Sequence, residues 1–167
     1  MREARWRRFV HIGSGTAVAA EEISVTEAEG KARNKAVVTQ FFERMNAGDL
    51  DGSFGLLAND CTWFSLSSRR FSGKEQMRAM IAHVNEMVLR APIVQTITVL
   101  TAEENRVAAL TEGAAEALNE TRYDQGYHFL FEFADGLIIR LWEFNDTFHA
   151  REFFSLNDDG RIPDRRS

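Results

Sequence analysis

A single cysteine, Cys61, rules out an intrachain disulfide and leaves neither zinc-ligand spacing nor a paired-thiol motif. That usage suits a reducing compartment, and a cytoplasmic protein is the expectation. Basic residues are the minority, 20 against 25 acidic for a formal charge of −5. The clustered Lys and Arg that neutralise phosphates are lacking, so no nucleic-acid partner is expected. No apolar run approaches the roughly 20 residues of a bilayer-spanning helix, so no membrane partner is expected either. There is no Gly-rich phosphate loop, no G-x-S-x-G elbow and no H-E-x-x-H pair. Neither a metal nor an organic cofactor is implied.

The N-terminus has a basic start, Arg5-Trp6-Arg7-Arg8-Phe9, then a weakly apolar stretch over Val10–Ala20, the outline of a twin-arginine export signal. His11, two glycines, a serine and a threonine dilute the apolar part. Residues 1–23 are therefore read as an extension, disordered or loosely docked, with export as the alternative. The domain is placed at 24–157, and 158–167 as a polar tail.

What the chain has is aromatic residues, 13 Phe, 3 Trp and 2 Tyr, and they are patterned. Tyr127, Phe129, Phe131 and Phe133 alternate with His128, Leu130 and Glu132, which puts four large aromatics on one face of a strand. Asp135-Gly136 reads as a tight hairpin turn into Leu137–Phe144. Further upstream, a helix opening near Ser24 or Thr26, with Ser24 and Glu27 at capping-box spacing, carries Val37, Val38, Phe41, Phe42 and Met45 on one face. Gly48 is placed to end it in a left-handed cap.

A short helix over Leu50–Leu57, a turn at Asn59-Asp60 and a strand over Cys61–Leu66 follow. A third helix, capped by Ser72 and Glu75, runs to about Arg90 before Pro92. The strands Ile93–Ala102, Arg106–Leu118 and Tyr123–Ala134 then come in hairpin order, with turns at Glu103–Asn105 and Asn119–Thr121. Helices first and an antiparallel meander last is an α+β pattern. Asn145-Asp146-Thr147 reads as a turn or cap.

Several stretches taken together resemble the SnoaL-like, ketosteroid-isomerase-like branch of the nuclear transport factor 2-like superfamily. They are Asn46-Ala47-Gly48-Asp49-Leu50-Asp51-Gly52, Leu57-Ala58-Asn59-Asp60, Phe71-Ser72-Gly73-Lys74-Glu75, Tyr127–Phe133, and Trp142-Glu143-Phe144-Asn145-Asp146-Thr147. The resemblance spans about Asn34–Phe154. It implies a cone-shaped α+β barrel with three N-terminal helices packed on a curved, mainly antiparallel sheet. It also implies a cofactor-independent isomerase, cyclase (as in polyketide cyclases) or hydrolase, or a binding module that has lost that chemistry, because the fold hosts all of these.

Carried over residue by residue, the resemblance removes options. The positions that match the tyrosine, base and protonated acid of ketosteroid isomerases are Phe41, Ser65 and Tyr127, so the base is missing. Those that match the arginine and carboxylates of limonene epoxide hydrolase are Gly113, Ala115 and Glu143. Its water-orienting pair falls at Trp63 and Ser65.

The cavity so implied is lined by Phe41, Trp63, Ser65, Gly113, Ala115, Phe129 and Leu141, with room left by Gly113 and Ala115. Its ligand would be a small apolar or aromatic molecule. Tyr127 is the candidate donor and Glu143 the candidate acid or base; the structural alternative for Glu143 is a pair with Arg140 or Arg122. His83, His128 and His149 are read as surface or interface residues. The outer sheet face, with Leu130, Trp142 and Phe144 among His128, Glu132 and Arg140, is the expected surface of a homodimer.

Overall fold

The computed structural model describes residues 16–157, with side chains over 27–155. Helix α1 runs Thr16–Asn46, so it opens inside the stretch read as an extension. Ala, Glu and Ile from Thr16 onward favour helix and nothing there breaks it; the expected cap at Ser24 or Thr26 is interior helix. The readings made for residues 1–15 and 158–167 lie outside the described residues. At its other end Gly48, at φ +73°, closes α1 as expected. Helix α2 is shorter than expected, Leu50–Phe54, with the Asp49 carboxylate accepting from the Gly52 amide at 2.8 Å. Leu57 has passed into strand β1, Leu57–Ser65, because the Ile138 amide takes the Leu56 carbonyl into the sheet.

Asn59 and Asp60 form no turn; they lie within β1, where its pairing with β6 shifts register between Leu57 and Thr62. A short strand β2, Arg70–Gly73, was not foreseen. It places Ser72 opposite Trp63, so Ser72 caps nothing. Helix α3, Lys74–Met87, starts on Gly73 without a side-chain cap and ends before Arg90. Strands β3 (Val94–Glu103), β4 (Arg106–Glu116), β5 (Arg122–Ala134) and β6 (Leu137–Asn145) follow the expected hairpin order. Asp135 and Gly136 both take positive φ, 50° and 80°, which a two-residue hairpin turn with the native twist demands. Helix α4, Thr147–Asn157, was also not foreseen. Asp146 caps it, its Oδ1 accepting from the Phe148 and His149 amides at 2.9 and 3.2 Å.

The strands form one six-stranded mixed sheet in the order β2-β1-β6-β5-β4-β3. Only β1 with β6 is parallel. Register shifts within β1/β6, β3/β4 and β5/β6 mark bulges, the usual means of bending a sheet. Helix α1 lies across β3 and β4 and buries Val38, Phe41 and Phe42 against the inner face. Asn46 ties the helix end to β3, donating to the Gln95 carbonyl and accepting from its amide. On the outer face Phe64, Phe71, Trp142, Phe144 and His128 form a chain of ring contacts at 5.3–6.2 Å.

Candidate active site

The strand register sorts the inner face into rows. Trp63, Leu141, Phe131, Val107 and Ala102 make one row across five strands, all of it apolar apart from the Trp63 indole nitrogen. Ser65, Glu143, Phe129, Ala109 and Leu100 make the next. Beyond it come Asn145, Tyr127, Thr111 and Ile97, then Gln125, Gly113 and Gln95, then Tyr123 and Ala115. Rows are about 7 Å apart. Polarity therefore rises steeply along the sheet, and Glu143 sits at the boundary.

On the apolar side the space is filled. Phe41, Phe129 and Leu141 are 1%, 3% and 0% exposed. Phe41 meets Phe131 at 5.7 Å and Trp63 at 6.0 Å, and Phe42 meets Phe129 at 5.2 Å. These residues form a floor of packed rings.

Glu143 stands on that floor. Its Oε2 accepts from the Trp63 indole at 2.9 Å. Neither Arg140 nor Arg122 reaches it: Arg140 pairs with Glu132 instead. No further partner is recorded for its carboxyl among the described residues, and the side chain keeps some accessible surface. Burial pushes the carboxyl up to about 7, with the Trp63 hydrogen bond opposing. Near neutral pH such a group divides between acid and base forms, the condition for moving a proton. Ser65 is its neighbour across the β1–β6 pair.

One row further out, Tyr127 is not a free donor. Its hydroxyl lies 2.7 Å from that of Tyr123, and Asn145 stands directly opposite it on β6. Burial raises both phenols above the ordinary tyrosine range, so they act as neutral hydrogen-bonding groups. Gly113 leaves no room either, which corrects the expectation. A Cβ there would lie 2.8 Å from Tyr127 Cε2 and 3.0 Å from Gln95 Nε2. The Tyr127 ring occupies the space that the missing side chain vacates, and Gln95 is fixed by the Thr111 hydroxyl, which donates to its Oε1 at 2.7 Å.

Ala115 is part-buried beside Tyr123 at the rim, where a recess of about 430 Å³ opens between them and Val94. Gln125 donates to the Asp146 carbonyl at 2.8 Å and so ties the rim to the start of α4. Tyr123, Gln125 and Asn145 were missed as site residues. Tyr123 and Gln125 share the parity of Tyr127, so the alternation already placed them inside.

This fold, helices packed on the curved six-stranded sheet with polar groups beyond an aromatic floor, is that of a nuclear transport factor 2-like protein. Residues 38–141 match the SnoaL-like domain, and the chain belongs to that family. No curated protein matches it in sequence. Among solved structures it is similar to a nuclear transport factor 2-like protein from Burkholderia pseudomallei. Identity there is 19% over 72% of this chain and 96% of that one, with a TM-score of 0.65. It is also similar to an LEH-like epoxide hydrolase from M. tuberculosis, at 16% over 76% and 92%, TM-score 0.63. A third is TerC, crystallised with polyporic acid, at 15% over 74% and 98%, TM-score 0.65. At these identities the likeness speaks to the fold alone. Among the described residues no helix is long and apolar enough to cross a membrane.

Proposed function

We propose that the protein binds a small, mostly apolar molecule in the cone and moves a proton on it with Glu143 as acid or base. The observation that carries this is the Glu143 carboxyl itself, poised near neutrality, with one oxygen held by Trp63. Tyr127, one row away and hydrogen-bonded to Tyr123, would polarise an oxygen of the ligand. Isomerisation, cyclisation and hydration all use such a pairing. That relatives of the same fold include an epoxide hydrolase and a protein crystallised with polyporic acid supports an apolar ligand.

The test is thermal unfolding against phenols, enones, epoxides and fused aromatics, followed by turnover of whichever class raises the melting temperature. Glu143→Gln should retain binding and lose turnover, and wild-type turnover should rise through pH of about 7 if Glu143 is the base. Binding with no turnover in either protein would favour the second reading, a non-catalytic binding module. The engagement of both tyrosine hydroxyls with each other favours that reading.

For the outer face, the reading is a homodimer. Phe71 is 49% exposed and Phe144 36%, on a face already lined with rings. Sedimentation should find a dimer that Phe71→Glu weakens; a monomeric wild type at micromolar concentration would refute it.

A further inference from the structure

Two polar atoms flank the tyrosine pair and have no partner. Asn145 Oδ1 and His149 Nε2 are both buried without a hydrogen bond. Asn145 is directly opposite Tyr127 on the β5–β6 pair. His149 comes from α4. Its ring lies parallel to that of Tyr123, 5.5 Å between centroids and 2° between planes. The two orphans thus belong to side chains that border the two tyrosines, one from a strand and one from a helix.

Neither atom is loosely held. The His149 amide is capped by Asp146, and α4 is anchored by buried Ala150 and by Phe153, whose ring is 4.6 Å from Tyr123. Asn145 is fixed at the end of β6, one residue before that cap. Buried polar atoms are nearly always paired, so two rigid exceptions around one centre need a partner that is not part of the chain.

We propose that Asn145 and His149 form the polar end of the ligand site and bind a hydroxyl group carried on an apolar ring. The unpaired atom of Asn145 is Oδ1, a carbonyl oxygen that can only accept, so the ligand must donate. An O–H does so, whereas an ether, an epoxide or a ketone leaves Oδ1 unpaired. His149, from the Tyr123 side, supplies the second contact, its Nε2–H donating to the hydroxyl oxygen. The apolar body of the ligand then lies toward Glu143 and the aromatic floor. This rests on the reading of the cone as a small-molecule site and narrows its ligand class.

The experiment compares naphthol with its methyl ether by calorimetric titration of the full chain, wild type and His149→Phe. Phenylalanine keeps the ring against Tyr123 and removes the nitrogen. Wild type should bind naphthol about tenfold or more tightly than the ether. His149→Phe should weaken naphthol several-fold. It should also melt no lower than wild type in the absence of ligand, because an unpaired buried nitrogen has gone. Equal affinity for naphthol and ether, or naphthol binding indifferent to His149→Phe, overturns the inference while leaving a ligand pocket in place. Binding of neither probe overturns the pocket reading itself, and this inference with it.

Discussion

Replacing Glu143 with glutamine should make stability less dependent on pH, in a direction opposite to that of most carboxylates. The native carboxyl is raised from an ordinary 4.5 to about 7 by burial. Between those values the folded protein holds a proton that the unfolded chain releases. The stability contributed by this group is therefore complete below about 4.5 and is lost progressively as pH rises to about 7. A gap of about two and a half pH units at ~1.4 kcal/mol each amounts to about 3 kcal/mol. Glutamine has nearly the same shape, never ionises, and offers Trp63 Nε1 an acceptor as the carboxylate does.

The difference in unfolding free energy between Glu143→Gln and wild type should be near zero at low pH. It should grow to about 3 kcal/mol in favour of the variant once the carboxyl is fully ionised. Urea unfolding followed by tryptophan fluorescence across the range measures it, and every other titrating group cancels in the comparison. A difference that stays flat, or that falls as pH rises, would refute the claim that this carboxyl is buried on an apolar floor.

Three further outcomes follow from the same geometry. Trp63→Phe removes the hydrogen bond that opposes desolvation, so the Glu143 titration, followed by NMR of the labelled carboxyl, should move above about 7; a downward move would refute the assignment. Gly113→Ala forces a Cβ to within 2.8 Å of the Tyr127 ring and should cost about 1–3 kcal/mol by chemical denaturation; a neutral result would mean that the ring is free to shift. Cys61, 1% exposed with its thiol pushed up to about 11 by burial, should resist alkylation in the native state and react on unfolding; rapid native labelling would contradict that burial.

The parts of the fold legible in the sequence were those in which one period ran long enough to be read. The 13 residues of β5 alternate along most of their length, and Asp135-Gly136 can make one kind of turn. What escaped was short or set by tertiary contact. The four residues of β2 are a strand only because β1 lies beside them. Leu57 changed element because a partner across the sheet claimed the preceding carbonyl. Helix α4 was concealed by the polar Asn145-Asp146-Thr147, although Ala150, Phe153 and Phe154 have helical spacing.

At the site, Glu143 was legible as a carboxylate among apolar residues. Its partner was not, because the indole that holds it comes from a strand 80 residues away in sequence. Gly113 misled for a related reason. A missing side chain in sequence says that something comes close, not that the space is empty, and here Tyr127 is what comes close.

The rows of the inner face explain why the Glu143 carboxyl is held near neutrality. A carboxyl one row deeper would face only Trp63, Leu141 and Phe131, with nothing to receive its proton. One row further out it would join Asn145, Tyr127 and Thr111, whose dipoles would solvate the anion and return its pKa toward the ordinary value. At the boundary it has an apolar floor that favours the neutral form and a single indole that favours the anion. Tyr127 lies one row beyond it. The balance depends on row position, which register alone sets. A one-residue slip of β6 against β5 would send Glu143 to the outer face and bring Trp142 and Phe144 inside.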